Sequence, residues 1–176
     1  DFAHPDDETT CAGGTFGKYA SAGADVRVVS LTMGGAGQIR DAGAATRATL
    51  RAVRERELAA AGEELGLTRT RCLDHPDGGL SDIDDRTLVD LAADLLEEFD
   101  PDVVITFGPD GFSGHPDHIA VGAAVTAACE ERRRASPIRL FHCHLPQSRM
   151  LLRDRLATWV VELTTRFKGT KDFVPP

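Results

Sequence analysis

The run Val103-Val104-Ile105-Thr106-Phe107 constrains the fold more tightly than any other segment. It lacks the polar alternation of a strand with one face in water, so it must be covered on both faces, as strands of parallel sheets are. Pro101 ends a helical pattern just before it, and Gly108 opens a loop just after it. Elsewhere short β-rich runs alternate with longer helical ones, which favours an α/β fold, a mostly parallel sheet wrapped by helices.

Helices are expected over Thr9–Ala22, Ala44–Leu65, Asp84–Phe99 and Pro116–Arg134. The second is rich in strong helix formers and has Gly66 as a C-cap. The third carries Leu88, Leu91, Leu95 and Phe99 on one stripe behind Asp82, Asp84 and Asp85, which read as an N-cap and first-turn acids. Pro116 suits the first turn of the fourth, and Glu130-Glu131-Arg132-Arg133-Arg134 reads as its solvated end. Further strands are expected at Asp25–Thr32, near Arg71-Cys72-Leu73, at Leu140–Leu145 and at Thr158–Leu163, with Pro76-Asp77-Gly78-Gly79 as a turn; Lys168–Pro176 shows no pattern. A length of 176 residues suits a single domain over 1–176, with its first strand cut short because only Asp1-Phe2-Ala3 precede His4.

Acidic residues outnumber basic ones, 28 to 20, for a formal charge of -8. That balance disfavours nucleic acid and anionic membranes as partners and suits a small neutral or cationic ligand, with self-association left open. Cys11, Cys72, Cys129 and Cys143 have no C-x-x-C spacing, so they read as reduced thiols of a cytoplasmic protein rather than a zinc ribbon or disulfide framework. No apolar run reaches the roughly 18 residues of a membrane span.

Two clusters carry the chemistry: His4-Pro5-Asp6-Asp7-Glu8 and His115-Pro116-Asp117-His118. Each follows a strand and opens a helix, the position at which open α/β sheets bind ligands. A catalytic zinc takes three His or carboxylate ligands and leaves one place for water. His4, Asp7 and His118, one helical turn after His115, can supply them. Asp6 suits the base that takes the water proton, His115 the donor to the tetrahedral oxyanion and the acid for the leaving amine. Asp117 can hold one imidazole in the right tautomer from behind. A helix-start turn explains either cluster alone, but so many carboxylates and imidazoles at interior loop ends call for a cation. His142 and His144 share a strand face and read as satisfied or exposed side chains rather than a second metal site, and His75 reads as a turn residue that can lie near the site.

His4-Pro5-Asp6-Asp7-Glu8 followed by Gly114-His115-Pro116-Asp117-His118 resembles the LmbE-like, or PIG-L, family of zinc-dependent de-N-acetylases. The resemblance extends to Arg54-Glu55-Arg56-Glu57-Leu58, Pro76-Asp77-Gly78-Gly79-Leu80 and Pro101-Asp102-Val103-Val104, and so covers roughly residues 1 to 130. It implies a Rossmann-like fold with helices on both faces and one zinc per chain held by His4, Asp7 and His118. Asp6 would be the general base and His115 the electrostatic stabiliser. The implied reaction is removal of an N-acetyl group from an N-acetylglucosamine-type amino-sugar conjugate, a small-molecule substrate. Arg54 and Asp77 match positions at which members contact substrate hydroxyls. The chain departs from the pattern in the loop Gly34-Gly35-Ala36-Gly37-Gln38, which lacks an acidic residue members often carry, and at Ser113, where some have tyrosine. Rival readings are an amidase for a thiol or peptide conjugate and a non-catalytic Rossmann-like ligand-binding module. Against the second, three carboxylates stand where a phosphate-binding fold needs a glycine-rich loop.

Overall fold

Around the three residues Asp1–Ala3 the chain assembles its sheet. The computed structural model describes residues 1–39, 43–133, 137–145, 155, 156 and 159. The chain divides into two compact units, Asp1–His144 and Leu145–Pro176; in the second, Arg155, Leu156 and Trp159 are helical. Apart from Trp159, the strand expected over 158–163 lies outside the described residues, as does 168–176.

In the first unit the elements run α1 (Asp7–Ser21), β1 (Arg27–Thr32), α2 (Leu50–Leu65), β2 (Arg69–His75), α3 (Asp85–Phe99), β3 (Val103–Phe107), the single turn α4 (Gly111–Gly114), α5 (Pro116–Arg132) and β4 (Arg139–Cys143). β1 pairs in parallel with β2, and β3 with β4. Asp1–Ala3 joins the two pairs. On one side Phe2 N–H donates to the Val29 carbonyl (2.9 Å), and Leu31 and Thr32 N–H donate to Phe2 and Ala3 carbonyls (2.8 and 3.0 Å). On the other, the Asp1 nitrogen donates to the Ile105 carbonyl and the Thr106 hydroxyl to the Asp1 carbonyl, both at 3.0 Å. The order is therefore β2-β1-(Asp1–Ala3)-β3-β4.

From Asp1–Ala3 the chain steps outward through β1 to β2, and α3 then returns it to β3 on the opposite side. This reversal is the switch point at which α/β sheets open a crevice beyond the strand ends. Both histidine clusters follow the two strands that flank it. α1 packs on α2 and α3 on α5; with the strand order above, the right-handed rule for parallel crossovers puts the two helix pairs on opposite faces of the sheet.

Local chemistry explains the boundaries. Asp84 caps α3 by accepting from Thr87 N–H at 3.1 Å, and Gly66 ends α2 with φ 70°. α2 starts at Leu50 rather than at Ala44, because Thr49 Oγ1 accepts from Thr46 N–H (2.9 Å) and meets the Thr46 hydroxyl (3.1 Å). Such side-chain bonds offer the backbone a turn in place of a helix. In the core, Phe2 meets Phe16 and Phe107 edge to face at 6.1 and 5.4 Å. Arg132, expected as part of a solvated helix end, instead ties α5 to the end of α3 through the Leu96 carbonyl (2.5 Å) and the Asp100 carboxylate. Among the described residues no helix is long and apolar enough to cross a membrane.

One glycine governs how closely α5 approaches β3. A Cβ on Gly122 would lie 2.6 Å from the Phe107 carbonyl oxygen, and backbone cannot swing aside as a side chain can. Gly122→Ala is expected to cost about 1–3 kcal/mol in denaturant unfolding. An unchanged midpoint would mean that α5 can back away from the strand freely.

Candidate metal centre

His4 ends the central strand segment, and the chain turns sharply into α1. Asp6 takes φ 121° and ψ −23°, a left-handed conformation uncommon outside glycine. Asp7 begins the helix, and His4 N–H donates to its Oδ2 at 2.8 Å, so ring and carboxylate are fixed on one turn. Across the crevice His115 is the extended N-cap of α5, its Nδ1 accepting from Asp117 N–H at 3.2 Å, with Pro116 at the first helical position. One turn on, the His118 ring stacks on Phe107 with centroids 4.1 Å apart and planes 5° from parallel.

The two clusters meet. His4 Nδ1 lies 3.1 Å from His118 Nε2. Asp7 closes the triangle, with Oδ2 3.4 Å from His4 Nδ1 and Oδ1 3.3 Å from His118 Nε2. All three residues are no more than 8% exposed. Tetrahedral zinc with bonds of about 2.0–2.1 Å separates its ligand atoms by about 3.3 Å, so the observed spacing fits such an ion.

The outer ring nitrogens are occupied, which fixes the tautomers. His118 Nδ1 lies 3.0 Å from the Gly111 carbonyl, an obligate acceptor. His4 Nε2 lies 3.0 Å from Asp77 Oδ1 and 3.3 Å from Asp117 Oδ2. Each ring therefore carries its proton on the outer side and turns a lone pair inward, toward the other ring and the Asp7 carboxylate. Two lone pairs and an anion at hydrogen-bond distance repel one another, and a cation between them removes the conflict. Burial holds His118 below the usual histidine range, which favours the neutral ligand form. For His4 burial works in the same sense, but the bond to Asp7 that a protonated Nδ1 would make and the Asp7, Asp77 and Asp117 charges outweigh it and raise its pKa.

Asp117 is fully buried and ties the centre to the Pro76–Gly79 turn. Its Oδ2 accepts from Gly78 N–H (2.8 Å), and its Oδ1 from Leu80 and Ser81 N–H (3.0 and 3.4 Å). His4, Asp77 and Asp117 also form a cluster of metal-binding types, but Asp77 Oδ2 accepts from Ala36 N–H (2.6 Å) and Asp117 is spent on three backbone donors. This second cluster is the hydrogen-bonded back of the centre. Asp77, matched by resemblance to a substrate contact, stands behind His4.

Asp6 remains open, its side chain 65% exposed. Partial loss of water raises its pKa, and the Asp7 and Glu8 charges add to this against the opposing Arg54. Arg54 Nη2 donates to Asp6 Oδ2 and to the Pro5 carbonyl, both at 2.5 Å, so it grips the candidate base. Both line a cleft of about 580 Å³ with Gln38, Ile39, Val53 and Glu57. A neighbouring cleft of about 690 Å³ is lined by His75, Asp74, Asp77, Arg47 and Arg51, which puts His75 near the centre. His115 has a ring nitrogen within 4.8 Å of those of His4 and His118. Because its Nδ1 accepts a backbone N–H, its proton sits on Nε2, where it can be donated.

His142 bonds the Thr126 hydroxyl (2.9 Å) and His144 pairs with exposed Asp110 (3.4 Å), so neither joins a metal cluster among the described residues. Two features escaped sequence reasoning. The Gly111 carbonyl belongs to the backbone and has no sequence signature. Glu8 was visible as a third carboxylate of the first motif, but its burial to 1% was not.

Residues 2–129 match the family described as PIG-L: GlcNAc-PI de-N-acetylase. A 1D-myo-inositol 2-acetamido-2-deoxy-alpha-D-glucopyranoside deacetylase of Mycobacterium sp. (strain KMS) is 39% identical over 155 residues, covering 77% of this chain and 50% of that protein. This chain thus spans about half the length of the curated relatives it matches. Among solved structures, the N,N'-diacetylchitobiose deacetylase from Pyrococcus horikoshii is similar with TM-score 0.64 and 27% identity, over 75% of this chain and 48% of that one. GalB, the 4-carboxy-2-hydroxymuconate hydratase of Pseudomonas putida KT2440, is similar with TM-score 0.58 and 25% identity, over 73% and 53%. A hydratase among the neighbours means that the reaction has to be argued from the site and not from the fold.

Proposed function

The chain belongs to the PIG-L, GlcNAc-PI de-N-acetylase family, and from that premise we propose that it is a zinc-dependent hydrolase removing an N-acetyl group from an N-acetylglucosamine-type amino-sugar conjugate. The observation that carries the proposal is the inward-facing triangle of His4 Nδ1, His118 Nε2 and the Asp7 carboxylate, with both outer ring nitrogens already bonded. His4, Asp7 and His118 would hold one zinc per chain. When bound, zinc supplies a water whose pKa is lowered towards about 7 and a Lewis acid for the amide carbonyl.

The chain's own groups divide the remaining work. Asp6, next to Asp7 and open to the cleft, takes the water proton, and its raised pKa brings it nearer the range a general base needs. His115 donates from Nε2–H to the oxygen that gains charge as the carbonyl becomes tetrahedral. A second proton on Nδ1 would oppose the Asp117 N–H that this nitrogen accepts, so His115 acts as a neutral donor. The proton for the departing amine then comes back from Asp6, which closes the balance: water and amide become acetic acid and a primary amine, which separate near neutral pH as acetate and ammonium. Asp117 and Asp77 keep the His4 proton on Nε2. Arg54 lines the same cleft as Asp6, and its Nη1, which makes a long 3.5 Å bond to the Gly34 carbonyl, can donate to a sugar hydroxyl there while Nη2 stays on Asp6.

The test is a product assay on a panel of N-acetylglucosamine conjugates, reading free acetate and new amine together with zinc content. About one zinc per chain and loss of hydrolysis on chelation are expected. Full activity in metal-free protein would sink the proposal, and water addition without acetate release would favour hydratase chemistry instead.

A further inference from the structure

Glu8 is the residue of the first cluster to which the proposed reaction gives no task, and at 1% exposure it is the most deeply buried of its acids. A carboxylate removed from water is costly to keep unless its oxygens are occupied. Here they are: Oε2 accepts from Asp6 N–H at 2.9 Å and Oε1 from the Thr9 hydroxyl at 2.6 Å. The backbone it grips is strained, since Asp6 sits at φ 121°. Strain of this kind persists only where the surroundings over-determine the conformation.

Asp6 is held from two ends. Rotation about its N–Cα bond swings the carboxylate relative to the N–H. Glu8 fixes the N–H, while Arg54 fixes Oδ2 and the Pro5 carbonyl just ahead. With both ends bonded the residue cannot relax to negative φ without breaking one contact. An ionised acceptor bonds an N–H about twice as strongly as a neutral one, which accounts for a buried acid at this position. The glycine loop after β1 serves the same end. A Cβ on Gly34 or Gly37 would lie 2.7 Å from Arg54 Nη1, so the loop is bare where the guanidinium passes to Asp6.

We infer that Glu8 is a positioning residue: acting with Arg54, it holds Asp6 in a strained conformation that aims the base carboxylate, a role that rests on the reading of Asp6 as the general base. A first-turn acid could instead only stabilise α1, and the experiment separates the two. In the full chain, Glu8→Gln keeps the shape and one acceptor oxygen. It is expected to retain zinc and KM while kcat falls about tenfold, since small misplacements of a reacting group cost one to two orders of magnitude. Unchanged kcat overturns the inference. So does loss of zinc in step with turnover, which would make Glu8 a support for Asp7.

A thermal-unfolding cycle with Asp6→Gly needs no activity, so it decides the point even if no N-acetyl sugar proves to be a substrate. Glycine carries no strain at φ 121°. If Glu8 imposes the strain, Glu8→Gln releases some of it in the wild-type background and none beside Gly at position 6. The expected loss of melting temperature is therefore larger in the Asp6→Gly background. Equal losses in both backgrounds overturn the inference.

Discussion

His118→Ala is expected to leave the purified chain without zinc and without hydrolysis, whereas Asp6→Asn keeps the zinc and loses turnover by about 10²–10⁴-fold, the usual worth of a general base. The contrast follows from where each side chain stands. His118 Nε2 is one corner of the triangle with His4 Nδ1 and Asp7, so removing its ring takes away one of the three inward-facing donors. Asp6 lies outside the triangle, 65% exposed and paired with Arg54. Asparagine is the informative replacement, because it tolerates left-handed backbone better than alanine and keeps an oxygen for Arg54. Metal analysis and steady-state kinetics on the same preparations read both effects. If Asp6→Asn emptied the centre as fully as His118→Ala, the two roles would have to be exchanged.

The second large effect is expected at Asp117. Asp117→Asn preserves volume but puts an NH₂ group against donors, since both oxygens now accept from Gly78, Leu80 and Ser81 N–H and one faces His4 Nε2. One oxygen's partners must be lost whichever way the amide turns. At a fully buried site that is expected to cost about 3 kcal/mol of stability. Zinc affinity should also fall about 10–100-fold, the usual consequence of removing the partner behind a ligating histidine. Denaturant unfolding of the metal-free chain and a zinc titration check the two parts separately. Wild-type stability in the first experiment would mean that the Pro76–Gly79 turn holds without its anchor.

Much of this was legible before any coordinates. The unbroken run Val103–Phe107 called for a buried parallel strand, and it lies parallel to β4 beside the central segment with Val104, Thr106 and Phe107 buried, although Val103 at its start is exposed. Asp84, Gly66 and Pro116 marked helix ends because capping is a local matter of one hydroxyl, carboxylate or backbone angle. Where a boundary depended on competition, as between helix and the Thr46–Thr49 turn, composition misjudged it by six residues. The Arg132 tie to Leu96 and Asp100 was hidden in a run of charges, because its partners lie 36 and 32 residues away.

By itself the sequence determined the inventory: two strand-to-helix turns, each crowded with imidazoles and carboxylates, in a chain whose alternation of elements makes such turns share one end of a sheet. Only the tertiary structure decided the allocation. It placed Asp77 behind His4, turned Arg54 onto Asp6, lent the Gly111 carbonyl to His118 and buried Glu8 beneath the strained turn. The physical reason is range. Propensities and caps act over a few residues and can be read along the chain. The tautomer of an imidazole, the reach of a guanidinium and the burial of a carboxylate depend on atoms brought together from positions up to a hundred residues apart.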